Sequence, residues 1–223
     1  MTTLNFTDPN AKLGYKSPLS FARTLKSILT WHALRTHALE QIGWNQTRRI
    51  RSAVLHGFPI PWFTYASVQF IDQIIPTSAH VLEVGGGNSS LFWINRGNQL
   101  VTIETNPIWT NRITSSNGFD RNHHEVITIP MENQEAISNA LGDRLFDVVI
   151  SDGLGDRREL GAYLSTRVKE NGILIWDNSD RGPDNDAIEG LRQDGWKSLD
   201  FFGLGPINAY CTKTTILHRG LVL

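Results

Sequence analysis

The chain has 223 residues, 40% of them hydrophobic, and a formal net charge of −1. That length suits one domain with an N-terminal extension and is enough to bury a sizeable core. The near-zero charge excludes a general electrostatic affinity for nucleic acid or anionic membranes. A single cysteine, Cys211, excludes an internal disulfide framework and thiolate-built metal clusters. It lies in a strand-like stretch and reads as a small, inert hydrophobe. The N-terminus has no charged-then-apolar leader pattern, and no apolar run approaches a membrane span, so a soluble cytoplasmic protein is expected, with neither nucleic acid nor membrane as partner.

In chain order, residues 1–17 are polar and aperiodic and read as a tail. Residues 18–43 read as a helix, because Leu25, Ile28, Leu29, His32 and Leu39 recur near helical spacing and Gly43 supplies a stop. Residues 45–55 read as a second helical piece, basic through Arg48, Arg49 and Arg51, which Gly57-Phe58-Pro59-Ile60-Pro61 breaks. Thr64 caps a third helix through Ile75, ended by Pro76. From His80 onward strand and helix alternate. Strand-like runs fall at 81–84, 100–104, 126–129, 146–151 and 172–177, with helices between them that include 133–141 and 156–169. Val148-Val149-Ile150 and Ile173-Leu174-Ile175 are continuously apolar, as strands covered on both faces are. A helix at 186–194 precedes two last strands, 197–202 and 212–219. The loop 203–209 joins those strands without a helix, so they pair antiparallel.

The first strand runs into Val81-Leu82-Glu83-Val84-Gly85-Gly86-Gly87-Asn88-Ser89-Ser90-Leu91-Phe92-Trp93. Glycines there let a ligand come close to the backbone, because no Cβ stands in the way. Glu83 sits inside the strand, and a second acid, Glu104, ends the next one. A glycine turn followed by an acid at the end of the next strand is a nucleoside-binding layout, the carboxylate taking the ribose hydroxyls. The segment resembles the first motif of class I S-adenosylmethionine-dependent methyltransferases, acid-x-Gly-x-Gly-x-small, and the resemblance extends over roughly residues 60–219. A nicotinamide dinucleotide enzyme is the rival. Its fingerprint wants glycine where Ser90 stands, has no need of an acid inside the strand, and does not end its sheet in an antiparallel hairpin. A third account gives the glycine turn a packing role alone.

The fold implied is α/β: a Rossmann-like, doubly wound, seven-stranded sheet, mostly parallel with the last strand antiparallel, over residues 61–223. A helical extension or lid, residues 1–60, precedes it. S-adenosylmethionine is the cofactor the resemblance implies. Glu104, with Thr105 beside it, would hold the ribose; Glu83, Gly85 and Gly87 would surround the methionine portion, and Gly86, Asn88 and Ser89 would also contact the cofactor. Met131, Glu132 and Asn133 would flank the adenine, and Ser151 and Asp152 would complete the wall. Tyr65 either closes over the cofactor or is a helix-surface aromatic.

In open α/β sheets ligands lie beyond the carboxyl ends of the strands. Asp152, Asp177 and Asn178 follow two apolar strands there and resemble the metal-binding residues of catechol-type O-methyltransferases. The resemblance implies Mg²⁺ held by Asp152, Asp177 and Asn178, with Asp152 and Asp177 catalytic. The other reading, and the better one, is that Asp152 and Asp177 cap helices and line the cofactor pocket without a metal. The lysine that this family carries three residues after the first aspartate is Gly155 here, so a base would come from Asp156, the neighbourhood of Arg158, or His123 and His124. The histidine pair precedes the third strand and reads better as a solvated loop. His32 and His37 face a substrate only if the N-terminal helices form a lid. Trp62, Phe63, Trp176, Phe201 and Phe202 are candidates for the floor of an apolar acceptor pocket, walled by residues 18–55 and 203–209. Arg48, Arg49 and Arg51 either attract an anionic acceptor or form a solvated basic face.

The reading is therefore a methyltransferase acting on a hydroxyl or carboxylate oxygen of a small molecule or short peptide, in a biosynthetic role. N-methylation and a non-catalytic partner subunit of the same fold stay open. The N-terminal helices suit a homodimer contact as readily as a lid.

Overall fold

The computed structural model describes residues 21–130, 133–153 and 156–220. Expectations placed on residues 1–20, on Met131 and Glu132, and on Gly155 fall outside these. Helix α1 (Phe21–Ala33) runs through a π-helical turn, Leu34–Ala38, into α2 (Leu39–Gln41). Gly43, at φ 81°, separates it from α3 (Trp44–Ile50). The expected basic helix over 45–55 is shorter than its composition suggested, because Arg51 turns left-handed at φ 52°. Strands β1 (Val54–Leu55) and β2 (Phe58–Pro59) then form a small hairpin. His56 and Gly57 both have positive φ, as a tight two-residue hairpin turn requires.

The main body continues with α4 (Tyr65–Ile74), β3 (His80–Val84), α5 (Asn88–Arg96), β4 (Gln99–Glu104), α6 (Pro107–Thr114) and β5 (His124–Thr128). After these come α7 (Gln134–Leu141), β6 (Phe146–Ser151), α8 (Arg157–Ser165) and β7 (Val168–Trp176). Helix α9 (Gly182–Gln193), β8 (Lys197–Leu204) and β9 (Cys211–His218) close the chain. The seven-stranded sheet has the order β5-β4-β3-β6-β7-β9-β8. All neighbours are parallel except β9, which is antiparallel to both β7 and β8. The doubly wound sheet ending in one antiparallel hairpin is therefore present.

Element boundaries differ where capping decides them. Asp156 caps α8 with its carboxylate, accepting from the amides of Arg158 and Glu159. The chain leaves that helix at Ser165, so β7 starts well before the expected residue 172. Pro183, whose missing N–H costs nothing in a first turn, lets α9 begin ahead of residue 186. Strand β5 starts at His124, so half of the histidine pair lies in the sheet. His124 is buried and its Nδ1 accepts from the Asp120 amide, while His123 stays exposed beside Asp120. Cys211 opens β9 and is exposed, so it is no buried hydrophobe.

Alternation along the strands divides the core in two. Val81, Leu100, Val148, Ile173 and Ile216 pack with residues of α4, α5 and α6 on one face. Leu82, Val149, Leu174, Trp176 and Leu217 pack with α7, α8 and α9 on the other. Helix α8 can lie close because it has no side chain at Gly161; a Cβ there would stand 2.1 Å from the Trp176 ring. No helix among the described residues is long and apolar enough to cross a membrane.

Candidate active site

Strand order reverses between β3 and β6, and the crevice at such a reversal is where open sheets receive ligands. A cavity of about 580 Å³ opens there, lined by Gly85, Gly86, Gly87, Asn88, Ser89, Glu104, Thr105, Asp152 and Gly153. Asn106, Trp109 and Arg112 complete one wall, and Arg51, Ser52, Ala53, Trp62 and Ile207 the other. A cavity of about 700 Å³ lies at the opposite, amino end of the sheet, beside His80, Leu100, His123 and His124. It has neither the glycine turn nor the strand-end carboxylates, so the smaller cavity is the candidate site.

Gly85 is the tightest point of the turn. It sits at φ 90°, and a Cβ would lie 2.9 Å from the Asp152 carbonyl oxygen. The loops after β3 and β6 therefore touch, and only glycine allows it. Glu104 holds the turn from the other side. Its carboxylate accepts from the Gly86, Thr105 and Asn106 amides, each at 2.7 Å. Charge-assisted bonds of this kind fix the carboxylate in place, and its remaining lone pairs are available to hydroxyl donors. The first turn of α5 opens onto the same space through Asn88 and Ser89. Asn88 also ties the outer wall down, donating to the Ala53 carbonyl at 3.2 Å and accepting from Arg112 at 3.3 Å. The Arg112 guanidinium lies 4.6 Å from the Trp109 ring centroid.

Glu83 is not part of the wall. It is completely buried below the turn, hydrogen-bonded to the Ser90 hydroxyl. Burial pushes its carboxyl up to about 7, reinforced by the negative charge of Glu104, while the hydroxyls of Ser89, Ser90 and Thr102 pull the other way. Its work is to anchor the first turn of α5 from inside. Ser151 is buried at the end of β6. Asn133 caps α7, accepting from the Ala136 amide at 2.8 Å, and does not line the cavity. Tyr65 lies off the cavity too: its hydroxyl bonds to Thr47 Oγ1 at 2.6 Å, within the joint between α3 and α4.

Asp152 faces the cavity, and Asp177 stands behind it, 2% exposed. Burial first, then the charge of Asp177, raises the Asp152 carboxyl well above the usual range. Burial raises Asp177 to about 6 against the Thr214 hydroxyl, which donates to its Oδ1 at 2.7 Å. Of the three side chains proposed for Mg²⁺, Asn178 is already engaged within the chain. Asn178 Oδ1 accepts from the Arg181 guanidinium at 2.6 Å, and its Nδ2 donates to Thr212 at 3.1 Å. Arg157 is paired with Asp184 and donates to the Ser151 and Asp177 backbone carbonyls. Among the described residues no group of three or more histidine, cysteine or acidic side chains could hold a metal ion.

Of the aromatic candidates only Trp62 lines the cavity. Phe63 and Trp176 are core residues, Phe201 packs on Phe70, and Phe202 is on the surface. The N-terminal segment does reach the site. Arg48 donates to the Ile207 carbonyl at 3.1 Å and Trp44 Nε1 to the Asn208 carbonyl at 2.6 Å, so α3 holds the β8–β9 loop against the cavity. His32 and His37 are exposed on the first helix. The sequence reading missed Trp109, Arg112 and Ser52. Asn106-Pro107 was the available signal for the first two: Asn106 accepts from the Ile108 amide and starts a helix directly after Glu104.

No protein-family model matches the sequence, and no curated protein does. Solved structures do share the fold. A Staphylococcus aureus protein assigned as a caffeoyl-CoA O-methyltransferase superposes with a TM-score of 0.58 at 16% identity, over 88% of this chain and 99% of that one. A methyltransferase from Pyrococcus furiosus gives 0.56 at 12%, over 82% and 100%. The O-methyltransferase TomG from Streptomyces achromogenes, solved with S-adenosylmethionine, gives 0.53 at 14%, over 90% and 99%. The architecture is thus that of the S-adenosylmethionine-dependent methyltransferases, the class I fold that the glycine motif resembled.

Proposed function

We propose that the chain is an S-adenosylmethionine-dependent methyltransferase that methylates an oxygen, hydroxyl or carboxylate, of a small molecule or short peptide. The observation that carries this is Glu104, held by three backbone amides at the end of β4 and lining a cavity beneath a cradle that a Cβ would fill. Glu104 is placed to take ribose hydroxyls, Trp109 to cover the adenine, and Asn88 and Ser89 at the α5 N-terminus to meet the methionine carboxylate. Bound there, the cofactor supplies a methyl on a positively charged sulfur, which makes the leaving group good. What remains for the protein is alignment and exclusion of water. Trp62, Ile207 and the 51–53 segment face the carboxyl ends across the cavity and form the acceptor side. Asp152, its carboxyl raised by burial and by the charge of Asp177, lines the cavity and is positioned to hold the acceptor by a hydrogen bond. The fold of solved methyltransferases supports this reading, as does the antiparallel β9, which a dinucleotide enzyme lacks. On this reading residues 1–60 are a lid and 61–223 the catalytic domain. Calorimetric titration with S-adenosylmethionine, S-adenosylhomocysteine, NAD⁺ and NADH tests it. Micromolar binding of the adenosyl compounds alone is expected; binding of the nicotinamides, or of neither, overturns it.

A further inference from the structure

The near-zero net charge, which argues against a general affinity for membranes, is the sum of two unlike parts. Residues 1–71 hold eight lysines and arginines against two acids; residues 72–223 hold thirteen against twenty. Cations of the body are used within it: Arg96, Arg144, Lys169, Arg192 and Lys213 each reach a carboxylate. Among the described residues none of Lys26, Arg35, Arg48, Arg49 and Arg51 forms an ion pair. The same segment leaves apolar side chains in water. Residues 25–38 are exposed throughout, although Leu25, Ile28, Leu29, Trp31 and Leu34 are among them. Leu25, Ile28, Leu29 and His32 follow the i, i+3, i+4, i+7 spacing of one helix stripe, with Lys26 and Thr30 on the other side. A helix as short as α1 with no packed face is marginal in water. Trp31 and Leu39 also line a groove of about 560 Å³ with Trp44, Arg35, Arg48 and Arg49. Its one acid, Glu40, accepts from the Asn45 amide at 2.9 Å.

We propose that α1 and the groove beside it form a docking face for an anionic lipid surface. The helix lies in the headgroup plane with its apolar stripe toward the acyl chains, and Arg35 and Arg49 meet the phosphates. Charge decides among the occupants. A second copy presenting the same face would set guanidiniums against guanidiniums, and its acidic body would take the helix only in a head-to-tail contact that does not close. A nucleic acid would neutralise the arginines but leave Leu25, Ile28 and Leu29 in water. An anionic bilayer covers the apolar stripe and balances the charge together. The docked face adjoins the candidate active site, because Trp44 and Arg48 hold the β8–β9 loop whose Ile207 lines that cavity.

The test is co-sedimentation of the purified chain with vesicles of phosphatidylcholine alone and of phosphatidylcholine with phosphatidylserine, at low and high salt, with tryptophan emission read alongside. Binding to the phosphatidylserine vesicles alone is expected, weakened by salt, with a blue shift that Trp31→Phe diminishes. Arg35→Gln combined with Arg49→Gln, both at exposed positions, is expected to melt as the wild type does and to bind about 25-fold more weakly, at about fivefold per cation. Ile28→Ser combined with Leu29→Ser is expected to remove the shift and most of the binding. No sedimentation with the anionic vesicles, or equal sedimentation with the neutral ones at both salts, overturns the proposal. So does binding of a single-stranded oligonucleotide without binding of vesicles. Self-association in the ultracentrifuge that Ile28→Ser with Leu29→Ser abolishes, while vesicles stay unbound, overturns it in favour of a second copy. None of these readouts uses an adenosyl ligand, so failure of the methyltransferase reading would be seen separately.

Discussion

Replacing Glu83 with glutamine removes a buried ionisable group while keeping its shape, and the consequence for stability has a definite pH dependence. The ordinary value for the carboxyl is 4.5 and the folded value about 7. That separation corresponds to about 3 kcal/mol between the protonated and ionised forms of the fold. Because the folded value is raised, the stabilisation is fully present below pH 4.5 and is lost as pH rises through about 7. Most of that loss, about 2 kcal/mol, falls between pH 5 and 8. Glu83→Gln has no proton to lose. Whatever constant offset the amide introduces, the variant should gain about 2 kcal/mol on the wild type over that interval. In a domain of this size that is a relative rise in melting temperature of roughly 4–8 °C. Urea denaturation of both proteins at half-unit steps from pH 5 to 8 measures it. Asp152 titrates in both proteins, but the Glu83 charge helps to raise it, so the variant also loses part of that push and the change has the same sign. A stability difference that stays flat across the interval would falsify the argument, because Glu83 would then be ionising in the fold as it does in water.

Three further outcomes are expected. Glu104→Gln replaces one acceptor oxygen by a donor facing backbone amides that point at it; S-adenosylhomocysteine affinity should fall at least about tenfold, since one charged hydrogen bond is worth about 1.5–3 kcal/mol. Calorimetry checks this, and unchanged affinity removes Glu104 from the site. Gly85→Ala combines a φ of 90° with a Cβ 2.9 Å from the Asp152 carbonyl; it should cost about 1–3 kcal/mol of stability in denaturation and abolish adenosyl-ligand binding. Gly161→Ala sets a methyl 2.1 Å from the Trp176 ring; a loss of about 1–3 kcal/mol and a changed tryptophan fluorescence are expected as α8 moves off the strand ends.

The sequence by itself determined the sheet. Short apolar-rich runs such as Val81–Val84 and the uninterrupted apolar triplets of β6 and β7 are local patterns, and so is the helix-free link that makes β9 antiparallel. It also placed Gly85–Gly87, Glu104 and Asp152 at strand ends, and the fold brings those ends together around one cavity. Tertiary structure alone decided which polar groups face that cavity. Glu83 and Asp152 are both acids beside glycines, yet one is sealed under α5 and the other lines the opening. Side-chain direction depends on helix docking, which no short window of sequence records. The same holds for the metal expectation at Asp152, Asp177 and Asn178. Residue types at strand ends suggested oxygen ligands, but that Arg181 takes up the Asn178 amide oxygen is decided by how the chain turns after β7. Charge balance in a buried site is a property of everything packed around it, and only the assembled fold fixes that.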